Sequence, residues 1–114
     1  MPSEVQRYLE LGESELLMEI ARLSDPRAPL SNPEHRKATG FAVVTAQLAR
    51  IRAVVCPRRD LIDSPEFELA TVITGVLVDH LTLGLASAIA AYTAKRGVLW
   101  LCRHQEVPAT ADTS

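Results

Sequence analysis

Aromatic residues are scarce in this sequence: two Phe, two Tyr and one Trp make up 4% of its 114 residues. A core must therefore be filled by Leu, Val, Ile and Ala, which favours close helix packing over an aromatic-lined groove. Cysteine is scarce too. Cys56 and Cys102 stand alone, with no C-x-x-C pair. The acidic N-terminus MPSEVQRYLELGE lacks the basic and apolar regions of a secretory signal, so a cytoplasmic location with both thiols reduced and buried is expected. An excess of one charge is also missing. The net charge of -2 and the isoelectric point near 5.9 give no overall attraction to nucleic acid or to an anionic membrane. Lysine is nearly absent, with two against ten arginines, and abundant Ala, Leu, Val and Arg suggest a GC-rich, bacterial source.

Catalytic signatures are missing at specific positions. There is no G-x-x-x-x-G-K-[ST], no G-x-G-x-x-G and no H-E-x-x-H. Gly12-Glu13-Ser14-Glu15-Leu16 lacks the second glycine of a nucleophile elbow. A zinc site assembled from Cys56, Cys102, His104 and His80 has poor ligand spacing, so no metal and no cofactor is expected. Arg58 and Arg59 beside Cys56 are of a kind that lowers a thiol pKa, but a thiol sealing the core is the simpler reading. The apolar run Thr71 to Tyr92 is long enough to span a bilayer. It is interrupted by Asp79 and His80, and an aspartate at a membrane-helix centre costs about 2.5 to 3.5 kcal/mol. Two packed helices explain the run better, and a membrane partner is not expected.

What is present is helical periodicity. Ser3 and Gln6 form an S-x-x-Q capping box that opens a helix carrying Val5, Leu9, Leu16, Ile20 and Leu23. Gly12 is a candidate break, with Ser14 as a second cap. The three prolines of DPRAPLSNP make a connection. Asn32 or Pro33 then opens a second helix with Phe41, Val44, Leu48, Ile51 and Val55 on one face, ended by Pro57. Ser64-Pro65-Glu66 reads as another start, with Ser64 as cap, leading into FELATVITGVLVDHL as the central and most buried helix. A turn is expected at Thr82 to Gly84, followed by LASAIAAYTAKRG and a final helical turn VLWLC. The fold expected is all-α: a single-domain antiparallel bundle of four to five helices over residues 1–104, with a flexible polar tail over 105–114.

Adjacent positions on a helix point about 100° apart, so Asp79 and His80 are not a ready-made dyad. Their simpler role is at a helix end, where His80 complements the last carbonyls and Asp79 faces water. The first helix is acidic outside and the second basic, which lets them attract each other or present opposite patches to another molecule. The resulting expectation is a non-enzymatic protein-protein interaction or adaptor domain, binding another protein or itself. Glu10, Glu13, Arg36, Arg50, Arg58 and Arg59 are its candidate contacts. Nucleic acid is not expected, because the basic helix lacks stacking aromatics. The alternatives are a small-molecule pocket formed by Asp79, His80, Tyr92 and Trp100, and a membrane-active helical hairpin.

Overall fold

The structure is a computed structural model that describes residues 4–24 and 32–102, the side chain of Arg59 excepted. Among the described residues there is no strand, and six α-helices form: α1 (Glu4–Leu9), α2 (Glu13–Ser24), α3 (Pro33–Val55), α4 (Glu66–Leu77), α5 (Leu83–Arg96) and α6 (98–102). A short 3-10 turn, Arg59–Leu61, lies between α3 and α4. The Ser3 cap, the proline-rich connection through Ser31 and the tail from 103 onward lie outside the described residues.

Local chemistry sets the helix ends. The Gly12 N–H donates to Glu15 Oε1 at 3.1 Å. The break at Gly12 is thus closed by Glu15 and not by Ser14, which sits inside α2. Asn32 caps α3 by accepting from the His35 N–H at 2.8 Å, with Pro33 in the first helical position. Ser64 does not cap α4. Its hydroxyl donates to the Asp60 carbonyl at 3.0 Å, and Pro65 precedes the helix without a side-chain cap. Helix α4 ends at Leu77, earlier than the sequence pattern implies. The His80 and Leu81 N–H groups both return to the Leu77 carbonyl, at 3.0 and 2.9 Å, and Thr82 then caps α5 by accepting from Leu85 N. The turn is therefore at 78–81, and the long apolar run becomes helices of 12 and 14 residues.

The central element is α5 and not α4. Every residue of α5 from Leu85 to Ala94 is buried, whereas α4 leaves Phe67 exposed at 45%, and Val78 just past its end is exposed at 41%. The reason is side-chain size. Alanines at 86, 88, 90, 91 and 94 let neighbours approach α5 from several sides, and it packs against α1, α2 and α4. Helices α2 and α3 form the other extensive pairing. Its closest point is Gly40, where an added Cβ would collide with the Leu17 carbonyl. The α3 core face is Val44, Leu48, Ile51 and Val55, while Phe41 lies at its margin, edge-on to Tyr92 at 6.4 Å between ring centroids.

Gly97 ends α5 with φ of 95°, a backbone conformation that side chains with a Cβ rarely adopt. The chain turns there, and α6 brings Cys102 to the C-terminal end of α3. Cys56 and Cys102 form a disulfide, with Cα atoms 5.7 Å apart. The expectation of two reduced thiols is overturned. Arg52 reinforces the junction by donating from Nε to the Leu101 carbonyl at 3.1 Å.

Candidate functional site

The four residues expected to line a pocket are not brought together. Asp79 and His80 are both exposed in the α4–α5 turn. Tyr92 is buried in α5 against Phe41, and burial raises its phenol pKa above the usual value. Trp100 lies in α6, half-buried, with the Arg96 guanidinium 4.8 Å from its ring centroid. Helix α5, about 21 Å long at 1.5 Å per residue, stands between the turn that holds His80 and the helix that holds Trp100. The paper zinc set fails for related reasons: Cys56 and Cys102 are bonded to each other, His80 is at the other end of α5, and His104 lies outside the described residues. No group of three or more His, Cys, Asp or Glu suited to a metal occurs among the described residues. The disulfide also removes Cys56 as a free nucleophile.

The charged candidates are scattered. Glu10 is exposed between α1 and α2, Arg36 is half-buried, and Arg50 is exposed with Nη1 donating to Gln47 Oε1 at 2.6 Å. Arg58 pairs with Asp60 at 2.8 Å, which lowers the Asp60 pKa. The side chain of Arg59 lies outside the described residues. Glu13 pairs with Arg96 at 3.1 Å, joining α2 to α5. The other ion pairs among the described residues are local: Glu4 with Arg7, Glu19 with Arg22, Glu34 with Lys37. None of them links the acidic α2 to the basic α3, so apolar contact and the Gly40 approach hold that pair together.

Two surface features were not evident from the sequence patterns above. The first is a cleft of about 320 Å3 between the 3-10 turn and the outer side of α4, with Leu61, Phe67 and Val72 as apolar walls and Arg58, Asp60 and Glu68 as polar ones. Its two hydroxyls, Ser64 and Thr71, both donate to backbone carbonyls, of Asp60 and Phe67 respectively. The second is the outer face of α3. Ala38, Ala42, Ala46, Ala49 and Ala53 are all exposed, as are Phe41 and Thr45 among them. From Ala38 to Ala49 the helix carries no charge. Over an 18-residue window the whole helix has a mean hydropathy of 1.3, with 28% of the window buried, and much of that hydropathy belongs to the core residues Val44, Leu48, Ile51 and Val55. A signal for this face was present in the sequence: alanines at three- and four-residue steps, on the side of the helix opposite Val44, Leu48 and Ile51.

No known protein family, curated protein or solved structure matches this chain. The site must therefore be judged by its chemistry alone. The α3 face offers apolar area and small side chains, which suit contact with another helix. The cleft offers a few polar groups around an apolar floor, at the small end of the volumes seen for ligand pockets.

Proposed function

We propose that this chain is a non-enzymatic interaction domain that docks a protein helix on the outer face of α3. The observation that carries the reading is the outer face of α3 itself, where Ala38, Phe41, Ala42, Thr45, Ala46, Ala49 and Ala53 are all exposed and no charged residue occurs from Ala38 to Ala49. A contiguous uncharged helical face rimmed by charges is a mark of a contact surface. The adaptor role, in which the domain links a second protein to some larger assembly, is the form of this reading that needs the least from the fold. A photo-reactive benzoylphenylalanine in place of Ala46 tests it in extracts of the source cell. Protein adducts mapped to position 46, with none from the same probe at exposed Asp79, are expected; their absence at position 46 would remove the reading.

A second reading retains ligand binding but moves it from His80 to the cleft beside Phe67, on the strength of that cleft's volume and mixed walls. Small molecules that raise the melting temperature of the native chain, and fail to do so for Phe67→Ala, would support it. On location, the disulfide weighs toward an oxidising compartment and against the reducing cytoplasm. Intact mass of the natively sourced protein before and after reduction decides between them.

A further inference from the structure

We infer that the partner seated on α3 is a second copy of this chain, crossing antiparallel about Ala42 with Glu34 of each copy against Arg50 of the other. This rests on the interaction reading above and adds the occupant and its register. Side chains on a helix form ridges at every fourth residue, and on α3 one such ridge runs Glu34, Ala38, Ala42, Ala46, Arg50, every member of it exposed. The next ridge, Phe41, Thr45, Ala49, Ala53, is exposed along its whole length too. When ridges of this kind interdigitate, two helices cross at about -50° and the ridges run side by side. Small residues at the centre of the ridge allow close approach.

The charges at its two ends then choose the partner and its direction. Glu34 and Arg50 are symmetric about Ala42, eight residues to either side. A two-fold axis at Ala42 sets acid against base at both ends, about 24 Å apart along the helix. A contact of this sort is isologous: one ridge is complementary to its own inverted copy. A parallel arrangement would set Glu34 against Glu34 and Arg50 against Arg50. The Glu34 side chain is 87% exposed and pairs locally with Lys37, and Arg50 makes a local bond to Gln47. Both can turn to a partner. A single helix crossing covers less than the roughly 1,200 Å2 of a stable interface, so the dimer is weak and its end pairs are screened by salt.

The test uses the purified full chain in sedimentation equilibrium at low and high salt. The native chain should show a monomer-dimer equilibrium at low salt that weakens at high salt. Glu34→Arg and Arg50→Glu should each weaken it by about tenfold or more, since each turns two attractive contacts into repulsive ones. Mixed in equal amounts, the two variants should recover a dimer, because all four facing charges are then opposite in sign. That recovery also reports that both variants are folded. Ala42→Glu, which places like charges at the two-fold axis, should be monomeric. A native chain that stays monomeric at all concentrations overturns the inference, as does a mixture that stays monomeric or an Ala42→Glu variant that pairs like the native chain. If the native chain is monomeric but the probe at position 46 still captures another protein, self-pairing fails and the interaction reading stands. If the monomeric native chain co-sediments with lipid vesicles and Ala42→Glu does not, the face meets a membrane and both fail.

Discussion

Helices α3 and α5 each carry five alanines, and the fold uses them in opposite ways. Those of α5 are all buried, and those of α3 are all exposed. In α5 they spread around more than half of the helix, with Leu85, Ile89 and Tyr92 on the remainder, so that no face from Leu85 to Ala94 is left for water and three neighbouring helices pack against it. In α3 they lie together, opposite a compact core face of Val44, Leu48, Ile51 and Val55. Alanine is small enough to be cheap in either place, so its abundance does not say which side of a helix is inside. What differs is the bulk of the residues between the alanines and the angle at which they fall.

The strongest way to break this arrangement is to uncouple the end of α3 from α6, the helix that follows α5. The Cys56–Cys102 bond closes a loop with a sequence separation of 46 residues that contains all of α4 and α5. Removing it by Cys102→Ser should cost about 4 kcal/mol through the extra freedom of the unfolded chain. Chemical denaturation of the two proteins under non-reducing conditions measures the difference, and equal midpoints would show that the bond does not constrain the native protein in solution.

Gly40→Ala should come next. The new Cβ meets the Leu17 backbone carbonyl, which has no rotamer to retreat into, so α2 and α3 must separate at their closest point. A loss of about 3 kcal/mol or more is expected from such overpacking. It should show as a large fall in melting temperature. A fall no greater than that of an exposed alanine substitution would mean that the two helices are less tightly held than the structure has them. Ala90→Leu, on the fully buried helix, should cost about 2 to 3 kcal/mol for the same physical reason, with side chains instead of backbone yielding.

Much of this was legible in advance. The all-α class, the split of the long apolar run into two helices, the Asn32-Pro33 start of α3 and the helical nature of VLWLC follow from periodicity, capping chemistry and the cost of Asp79 in an apolar setting. The misplaced centre has a physical cause. FELATVITGVLVDHL is more apolar per residue than α5, but hydropathy does not register that Gly75 and Thr71 lie between Phe67 and Val78 on a face that stays exposed. The disulfide was illegible because Cys56 and Cys102 meet only after Gly97 turns the chain, and spacing alone says nothing of that meeting. The pocket candidates Asp79, His80, Tyr92 and Trp100 are not brought together, because α5 stands between the turn that holds His80 and the helix that holds Trp100, which the sequence pattern does not reveal.

A gain in stability is expected on the buried side. Ser87 is fully buried in α5 and its hydroxyl has no hydrogen-bond partner among the described residues. Replacing it by alanine removes an unsatisfied polar atom and keeps the small size that the centre of the bundle requires. Ser87→Ala should therefore stabilise by about 1 kcal/mol. A loss instead would show that the hydroxyl is bonded in solution, to water or to part of the chain beyond the described residues.

The smallest expected effect is the most direct contrast with Ala90. Ala46→Leu places the same larger side chain on α3, where the structure has open solvent. Leucine is nearly as good a helix former as alanine, and an exposed site imposes no packing penalty, so the change should fall within about 0.5 kcal/mol. Thermal unfolding in dilute solution, where chains do not associate, isolates this intramolecular term. If Ala46→Leu costs as much as Ala90→Leu, the outer face of α3 is already covered within a single chain. It would then be a second core face, and α3 and α5 would bury their alanines alike.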